Sequence, residues 1–269
     1  MNTTVAGPVG ESFVVYSHIG VSSTSDEPGR AEGLLSLRDD LRGAEGVLVA
    51  PLLVMLLDSV ATATLPLASA VPSHVAVEVF EPAADIAELR IRGLVRRSGR
   101  TQIYYDARIE DAADATRVVG YGSVNMAVTG PAVAEYEGHR NRPASPADGE
   151  PRPPLTEMFE GRPIGGGRYE IAELSGRTGF GRIHAGVMTV MAEAAATDLV
   201  RSVSGASRLR TEQLDAQLLA GGRRGPFDVV PELLSIDKSH ATCRVEVLDR
   251  GTESRLISVI LGRIRIEDQ

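Results

Sequence analysis

The feature that most constrains the fold is that the chain repeats one order of elements. An apolar helix is predicted over residues 50–65 and again over residues 184–203. Each helix is followed by four segments in which apolar and polar residues alternate, as they do in half-buried antiparallel strands. These strands are predicted at 75–80, 88–96, 101–110 and 117–128 in the first half, and at 208–219, 227–236, 241–248 and 255–266 in the second. The order predicts an internal duplication with α+β structure.

The two predicted helices are apolar nearly all round. Residues 52–57 read Leu-Leu-Val-Met-Leu-Leu, and residues 187–192 read Val-Met-Thr-Val-Met-Ala. A helix without a polar face must be enclosed by other elements. Each half is therefore predicted to be a long buried helix wrapped by a curved antiparallel sheet.

A proline-rich stretch divides the chain near its middle. Between residues 129 and 167 there are seven prolines, interspersed with Gly, Arg and Glu. Proline at this density removes the backbone donors that helices and sheets need, so the stretch is predicted to be a partly extended linker. The predicted organisation is an N-terminal domain at 1–129, a linker at 130–167 and a C-terminal domain at 168–269.

The composition of the chain argues against several classes of binding partner and site. The 269 residues carry a formal net charge of −8, which argues against nucleic acid or an anionic membrane as the main partner. Cys243 is the only cysteine, so the chain has no intrachain disulfide and no Cys/His cluster with zinc-site spacing. Residues 1–10 do not resemble a secretory signal, and the longest apolar run, 47–57, is too short to span a bilayer. We expect a cytoplasmic protein without a metal site.

One acid lies in the apolar stretch of each helix. Burying an unpaired carboxylate is costly, so Asp58 and Glu193 are candidate catalytic residues. Thr62 and Thr197 follow four positions later on the same helix faces, where a hydroxyl could orient the carboxylate or a water. The start of each helix offers free N–H groups and the positive end of the dipole, which suit an oxyanion formed when a carbonyl group is attacked. The carboxylate would act as a general base or as a nucleophile, without a metal.

The second half carries a motif with a recognisable spacing. His184-Ala185-Gly186 is followed nine residues after the histidine by Glu193. This resembles the His-Gly-Gly motif of phenylacetate-type and 4-hydroxybenzoyl-CoA-type hotdog thioesterases, although alanine replaces the first glycine. The resemblance implies a tandem, or double, hotdog fold and acyl-CoA thioesterase activity, with coenzyme A as part of the substrate and no other cofactor. It also implies that the Ala185 N–H polarises the thioester carbonyl and that Thr197 lies at the site.

The first half carries a degenerate copy of the motif. Val49-Ala50-Pro51 stands where the motif would be, with Asp58 nine residues after Val49 and Thr62 four residues later. The differences 184 − 49, 193 − 58 and 197 − 62 all equal 135. This constant offset supports the duplication. The histidine is missing here, and proline has no N–H to offer.

The resemblance also implies how the two halves cooperate. In hotdog dimers a site combines the helix start of one unit with the carboxylate of the other. We therefore expect Asp58 to pair with the turn at His184, and Glu193 to pair with the turn at Ala50. If pairing stays within a half, Glu193 pairs with Ala185 instead. Double hotdog chains of this family form larger assemblies, so we expect a homo-oligomer of pseudo-dimers.

Two further residues complete the predicted binding site. Thr178 lies six residues before His184, where the family places a polar side chain that binds the substrate carbonyl. His184 itself is predicted to contact the ligand. The acyl group can be carried by coenzyme A or by a carrier protein, and the sequence does not separate the two.

Three other functions stay open. A hotdog dehydratase would resemble Asp-x-x-x-x-His, but none of the residues five positions before the five histidines is acidic. A non-catalytic acyl-binding protein would be expected to lose its buried acids, and both remain. Chain release or cyclisation in a biosynthetic pathway would use the same carboxylates on a carrier-bound acyl group.

Overall fold

The computed structural model describes residues 14–43, 47–64, 69–130, 152–179 and 181–267. The first half contains α1 (Val14–Ile19), β1 (Ser22–Thr24), β2 (Arg30–Ser36), α2 (Ala50–Ala63), β3 (Ser69–Val79), β4 (Glu88–Ser98), β5 (Gln102–Asp111) and β6 (Val118–Gly130). The second half contains α3 (Leu155–Met158), β7 (Gly161–Gly165), β8 (Arg168–Ile171), α4 (Ala185–Ser204), β9 (Leu209–Leu218), β10 (Phe227–Ile236), β11 (His240–Asp249) and β12 (Arg255–Ile266). Short 3₁₀ turns lie at Asp39–Leu41 and Arg250–Thr252.

The strands form one antiparallel sheet that runs through both halves. Its order is β1-β2-β4-β5-β6-β3-β9-β12-β11-β10-β8-β7. The halves meet where β3 pairs with β9, from His74 opposite Gln217 to Glu78 opposite Gln213. Read outward from this joint, the two halves have the same succession of strands. The predicted tandem hotdog fold, of α+β class, is confirmed.

The long helices α2 and α4 pack against each other and against the sheet. Every residue of α2 except Thr62 is buried, as the apolar sequence of this helix predicts. Gly186 in the first turn of α4 allows the close approach, because a Cβ there would collide with the side chain of Met55 on α2. The start of α4 therefore packs against the middle of α2, and the first residue of each helix, Ala50 and Ala185, is buried.

The structure differs from the predicted linker at its C-terminal end. Residues 155–165 form α3 and β7, and β7 pairs with β8, so they belong to the sheet of the second half. Pro163 is accommodated because β7 is the last strand of the sheet, where a missing N–H breaks no ladder. Residues 131–151 of the predicted linker lie outside the described residues.

Two findings concern membranes and metals. Within the described ranges, the helices are too short or too polar to cross a bilayer. The same part of the chain has no group of three or more His, Cys, Asp or Glu side chains that could hold a metal ion.

Candidate functional site

Asp58 lies at the centre of a buried polar cluster formed by both halves. Its residue is 5% exposed, and the hydroxyl of Tyr16 donates a hydrogen bond to its Oδ2 atom. The Nε2 atom of His184 lies 3.4 Å from the same oxygen. Asp58 comes from α2, Tyr16 from α1 and His184 from the start of α4. The cluster therefore unites an acid of the first half with the helix start of the second.

The hydrogen bonds of His184 indicate which tautomer its imidazole adopts. His184 is the N-cap of α4, and its Nδ1 accepts the N–H of Gly186 at 3.0 Å. In a neutral imidazole whose Nδ1 is an acceptor, the proton is on Nε2. Nε2 lies 3.2 Å from the Tyr16 oxygen, and the two rings meet edge to face with centroids 5.1 Å apart. The bonds thus run in one direction, from His184 to Tyr16 to Asp58.

Ala185 follows His184 directly and is the first residue of α4. The first N–H groups of a helix have no acceptor within the helix, and they form the positive end of its dipole. Ala185 is 8% exposed, so a negative charge that formed beside its N–H would be largely shielded from water. This helix start can stabilise an oxyanion next to the Asp58 cluster.

Glu193 occupies the corresponding position in the second helix and faces the start of α2. Its Oε1 accepts the N–H of Ala50 at 3.3 Å. Burial raises the pKa of Glu193 from its usual 4.5 to about 7, while the Thr211 hydroxyl and the Ala50 N–H act in the opposite direction. A small part of the residue remains solvent-accessible. Within the described ranges, this second carboxylate therefore has one long backbone hydrogen bond, and no tyrosine or histidine side chain bonds to it.

The raised pKa of Glu193 predicts a pH-dependent stability. The folded state binds the proton more tightly than the unfolded state, so stability is highest at low pH and declines as pH rises from about 4.5 to about 7. Glu193→Gln removes this decline. We expect the variant to be more stable than the wild type by about 2 kcal/mol at pH 8, and nearly equal at pH 4.5.

Urea unfolding at the two pH values measures this difference. Glu78→Gln, at an exposed position of β3, is the matched control and should follow the wild type at both pH values. An equal effect of Glu193→Gln at pH 4.5 and pH 8 would show that Glu193 does not titrate in this range.

The two helix threonines do not orient the carboxylates. The Thr62 hydroxyl donates to the backbone oxygen of Asp58 at 2.7 Å. The Thr197 hydroxyl donates to the backbone oxygens of Glu193 at 2.8 Å and Ala194 at 3.0 Å. Helical spacing places a threonine on the right face, but its hydroxyl often bonds the carbonyl four residues earlier. Both hydroxyls therefore donate to backbone carbonyls instead of to the carboxylates, and the predicted contact with a water molecule stays a prediction.

Thr178 forms local hydrogen bonds in the turn before α4, and its predicted contact with the substrate carbonyl stays a prediction. It is fully buried, and its hydroxyl accepts the N–H of Ser175 at 2.8 Å within the turn. Its backbone oxygen accepts the N–H of His184 at 2.9 Å. The Thr178 backbone therefore helps to fix the segment that leads into α4. The Thr178 hydroxyl already has hydrogen-bond partners within its own loop.

The structure brings together residues of opposite halves in both clusters. Asp58 lies beside His184, and Glu193 lies beside Ala50; the within-half pairing of Glu193 with Ala185 is not formed. Sequence reasoning missed Tyr16. It lies in a helix of six residues, 42 positions from Asp58 and 168 from His184. No motif spacing or hydrophobic periodicity in the sequence identifies it as a site residue.

Comparisons with known proteins agree with this architecture. The profile of the thioesterase superfamily matches residues 180–255. No curated protein matches the sequence significantly. Solved structures with the same fold include a candidate thioesterase II of Thermobifida fusca YX, with a TM-score of 0.63 and 15% identity over 94% of this chain and 97% of that one.

Two other solved structures are similar over nearly their whole length. The tesB protein of Mycobacterium avium subs paratuberculosis has a TM-score of 0.61 and 12% identity, covering 96% of this chain and 100% of that one. An acyl-ACP thioesterase of Bacteroides thetaiotaomicron VPI-5482 has a TM-score of 0.56 and 14% identity, covering 90% and 100%. At these identities the likeness concerns the fold. The chain thus has the double hotdog fold, and the part of its second half that contains the His184 motif matches the profile of the thioesterase superfamily.

Proposed function

We propose that this protein hydrolyses an acyl thioester, with Asp58 as the general base and the Ala185 N–H as the oxyanion donor. The observation that carries the proposal is the position of the buried Asp58 carboxylate, which is bonded to Tyr16 and lies beside the histidine that caps α4. Thioester hydrolysis needs a base to activate water and a donor to stabilise the tetrahedral oxyanion. The match to the thioesterase superfamily supports the same reaction class.

The proposed steps balance without a further reactant. Asp58 takes a proton from a water molecule as the water oxygen bonds to the carbonyl carbon of the thioester. The Ala185 N–H stabilises the oxyanion that forms. The oxyanion then collapses, the carbon–sulfur bond breaks, and the proton on Asp58 passes to the leaving sulfur. The products are a carboxylic acid and a free thiol.

The proposed substrate is an acyl group on coenzyme A or on a carrier protein. The net charge of −8 does not exclude an anionic small molecule, since binding depends on local charge. The similar structure from B. thetaiotaomicron is an acyl-ACP thioesterase, which supports a carrier-bound substrate for this fold. The cytoplasmic location and the homo-oligomer of pseudo-dimers stay predictions.

Thiol release from purified protein tests the proposal. The panel contains short, long and aromatic acyl-CoAs, with the same acyl groups on a phosphopantetheinylated carrier protein. We expect turnover of at least one member, with the carboxylic acid and the thiol formed in equal amounts. If no member is hydrolysed while a nonhydrolysable acyl-CoA thioether still binds, the protein is an acyl-binding protein and the proposed hydrolysis is wrong.

A further inference from the structure

Tyr16 is the residue that joins the two polar groups of the Asp58 cluster. Its hydroxyl donates to the Asp58 carboxylate, and its oxygen lies 3.2 Å from Nε2 of His184. The residue is 5% exposed, so both interactions are shielded from water. A hydroxyl in this position can hold a carboxylate and an imidazole in fixed relative orientation, because it is both donor and acceptor.

In the part of the chain that the structure describes, the second cluster has no counterpart of this arrangement. In the order of elements, α3 corresponds to α1, because α3 precedes β7 as α1 precedes β1. The sequence of α3 is Leu-Thr-Glu-Met, which contains no tyrosine, and its buried residues are the apolar Leu155 and Met158. By the offset of 135, Val49 stands where the other half has His184. Among the described residues, the Ala50 N–H is the group that donates a hydrogen bond to Glu193, and the Thr211 hydroxyl lies nearby.

The two acids have different hydrogen-bond partners. Asp58 and Glu193 occupy equivalent helix positions, and both are taken largely out of water. Glu193, with one backbone hydrogen bond at 3.3 Å, has its pKa raised to about 7. A hydroxyl donor favours the charged form of a carboxylate and restricts its rotation. Asp58 has this donor, and Glu193 has the weaker backbone bond instead.

We propose that Tyr16 is a positioning residue, which aligns the Asp58 carboxylate and the His184 imidazole and thereby assigns hydrolysis to the Asp58 cluster alone. This inference rests on the proposed thioester hydrolysis. Tyr16 does not take a proton from water in this scheme. It holds the base in the orientation from which Asp58 can reach water beside the start of α4.

Tyr16→Phe tests the role by kinetics, because it removes only the hydroxyl. With a hydrolysed thioester from the panel, we expect kcat to fall about 10- to 100-fold while KM changes less than about 3-fold. The acid limb of the kcat/KM profile should also move to higher pH, since the carboxylate loses a donor that favours its charged form. A purely structural loss would lower activity without moving this limb.

Tyr105→Phe is the matched control. Tyr105 is 2% exposed, and within the described part of the chain its hydroxyl has no hydrogen-bond partner. Removing this hydroxyl should leave kcat, KM and the pH profile unchanged. If Tyr16→Phe also leaves kcat and the pH profile unchanged, Tyr16 is not a positioning residue.

A proton NMR measurement separates this inference from the proposed function. A buried hydroxyl bonded to a carboxylate exchanges slowly and gives a downfield resonance, which should be present in the wild type and in Tyr105→Phe but absent in Tyr16→Phe. Absence of the resonance from the wild type would overturn the Tyr16–Asp58 arrangement. A wild type that shows the resonance but hydrolyses no substrate would overturn the proposed function, and with it the assignment of hydrolysis. A wild type that hydrolyses, with a Tyr16→Phe variant equal to it, would overturn the role of Tyr16 alone.

Discussion

Asp58→Asn should lower kcat/KM for thioester hydrolysis by roughly 100- to 10,000-fold, which is the range that a general base contributes. The side chain keeps its size, and its amide oxygen can still accept the Tyr16 hydroxyl that is bonded to Asp58 in the wild type. The amide cannot take a proton from water. The loss should therefore appear in kcat with the fold intact, and thiol release together with circular dichroism measures both.

The control for this variant is Asp26→Asn, at an exposed position near the end of β1. It removes the same charge from an exposed side chain and should retain wild-type kcat/KM. Glu193→Gln measured in parallel identifies the working site. Activity lost in Glu193→Gln and kept in Asp58→Asn would contradict our assignment, because the reaction would then belong to the second cluster.

Ala185→Pro should lower kcat by roughly 100- to 1,000-fold, since it removes the proposed oxyanion donor and little else. Proline is well tolerated in the first turn of a helix, where its missing N–H has no helical acceptor. The residue before a proline prefers an extended backbone, and His184 already has φ −78° and ψ 141°. The α4 helix should therefore form normally, so a loss of rate would report on the N–H group.

Ala50→Pro is the matched variant in the other half. Val49, with φ −88° and ψ 127°, is equally compatible with a following proline. The substitution removes the N–H that Glu193 accepts, and it should leave most of the hydrolytic activity in place. Equal losses in the two variants, or a larger loss in Ala50→Pro, would show that Ala185 is not the donor used in the reaction.

The sequence predicted the long elements well because their patterns are strong. The predicted strands at 227–236 and 255–266 coincide with β10 and β12, and the predicted helices differ from α2 and α4 by at most two residues at their ends. Short elements were missed, since a strand of three to five residues such as β1 or β7 is too short to show a period. These elements are held by pairing with β2 and β8, which a local pattern does not contain.

The sequence predicted which helix positions form the candidate site, but not which atoms their side chains contact. The constant offset of 135 identified the two acids and the two helix starts as equivalent positions. In the structure, each acid lies beside the helix start of the other half. Hydroxyl contacts were not predictable, as Thr62 and Tyr16 show. The first satisfies a backbone carbonyl that any helix offers, and the second reaches Asp58 only because α1 packs beside α2 in the folded chain. A spacing rule gives the face of a residue but not the partner of its side chain.

One continuous chain carries two halves that resemble subunits paired through β3 and β9. In an assembly of identical subunits, symmetry copies every substitution into each equivalent site. Here a substitution such as proline at position 51 or valine at position 49 alters one helix start and leaves the other unchanged. Because one chain encodes both halves, the two clusters need not be identical. One cluster can keep all the residues that a reaction needs, while the other can change to a different chemistry or lose its activity.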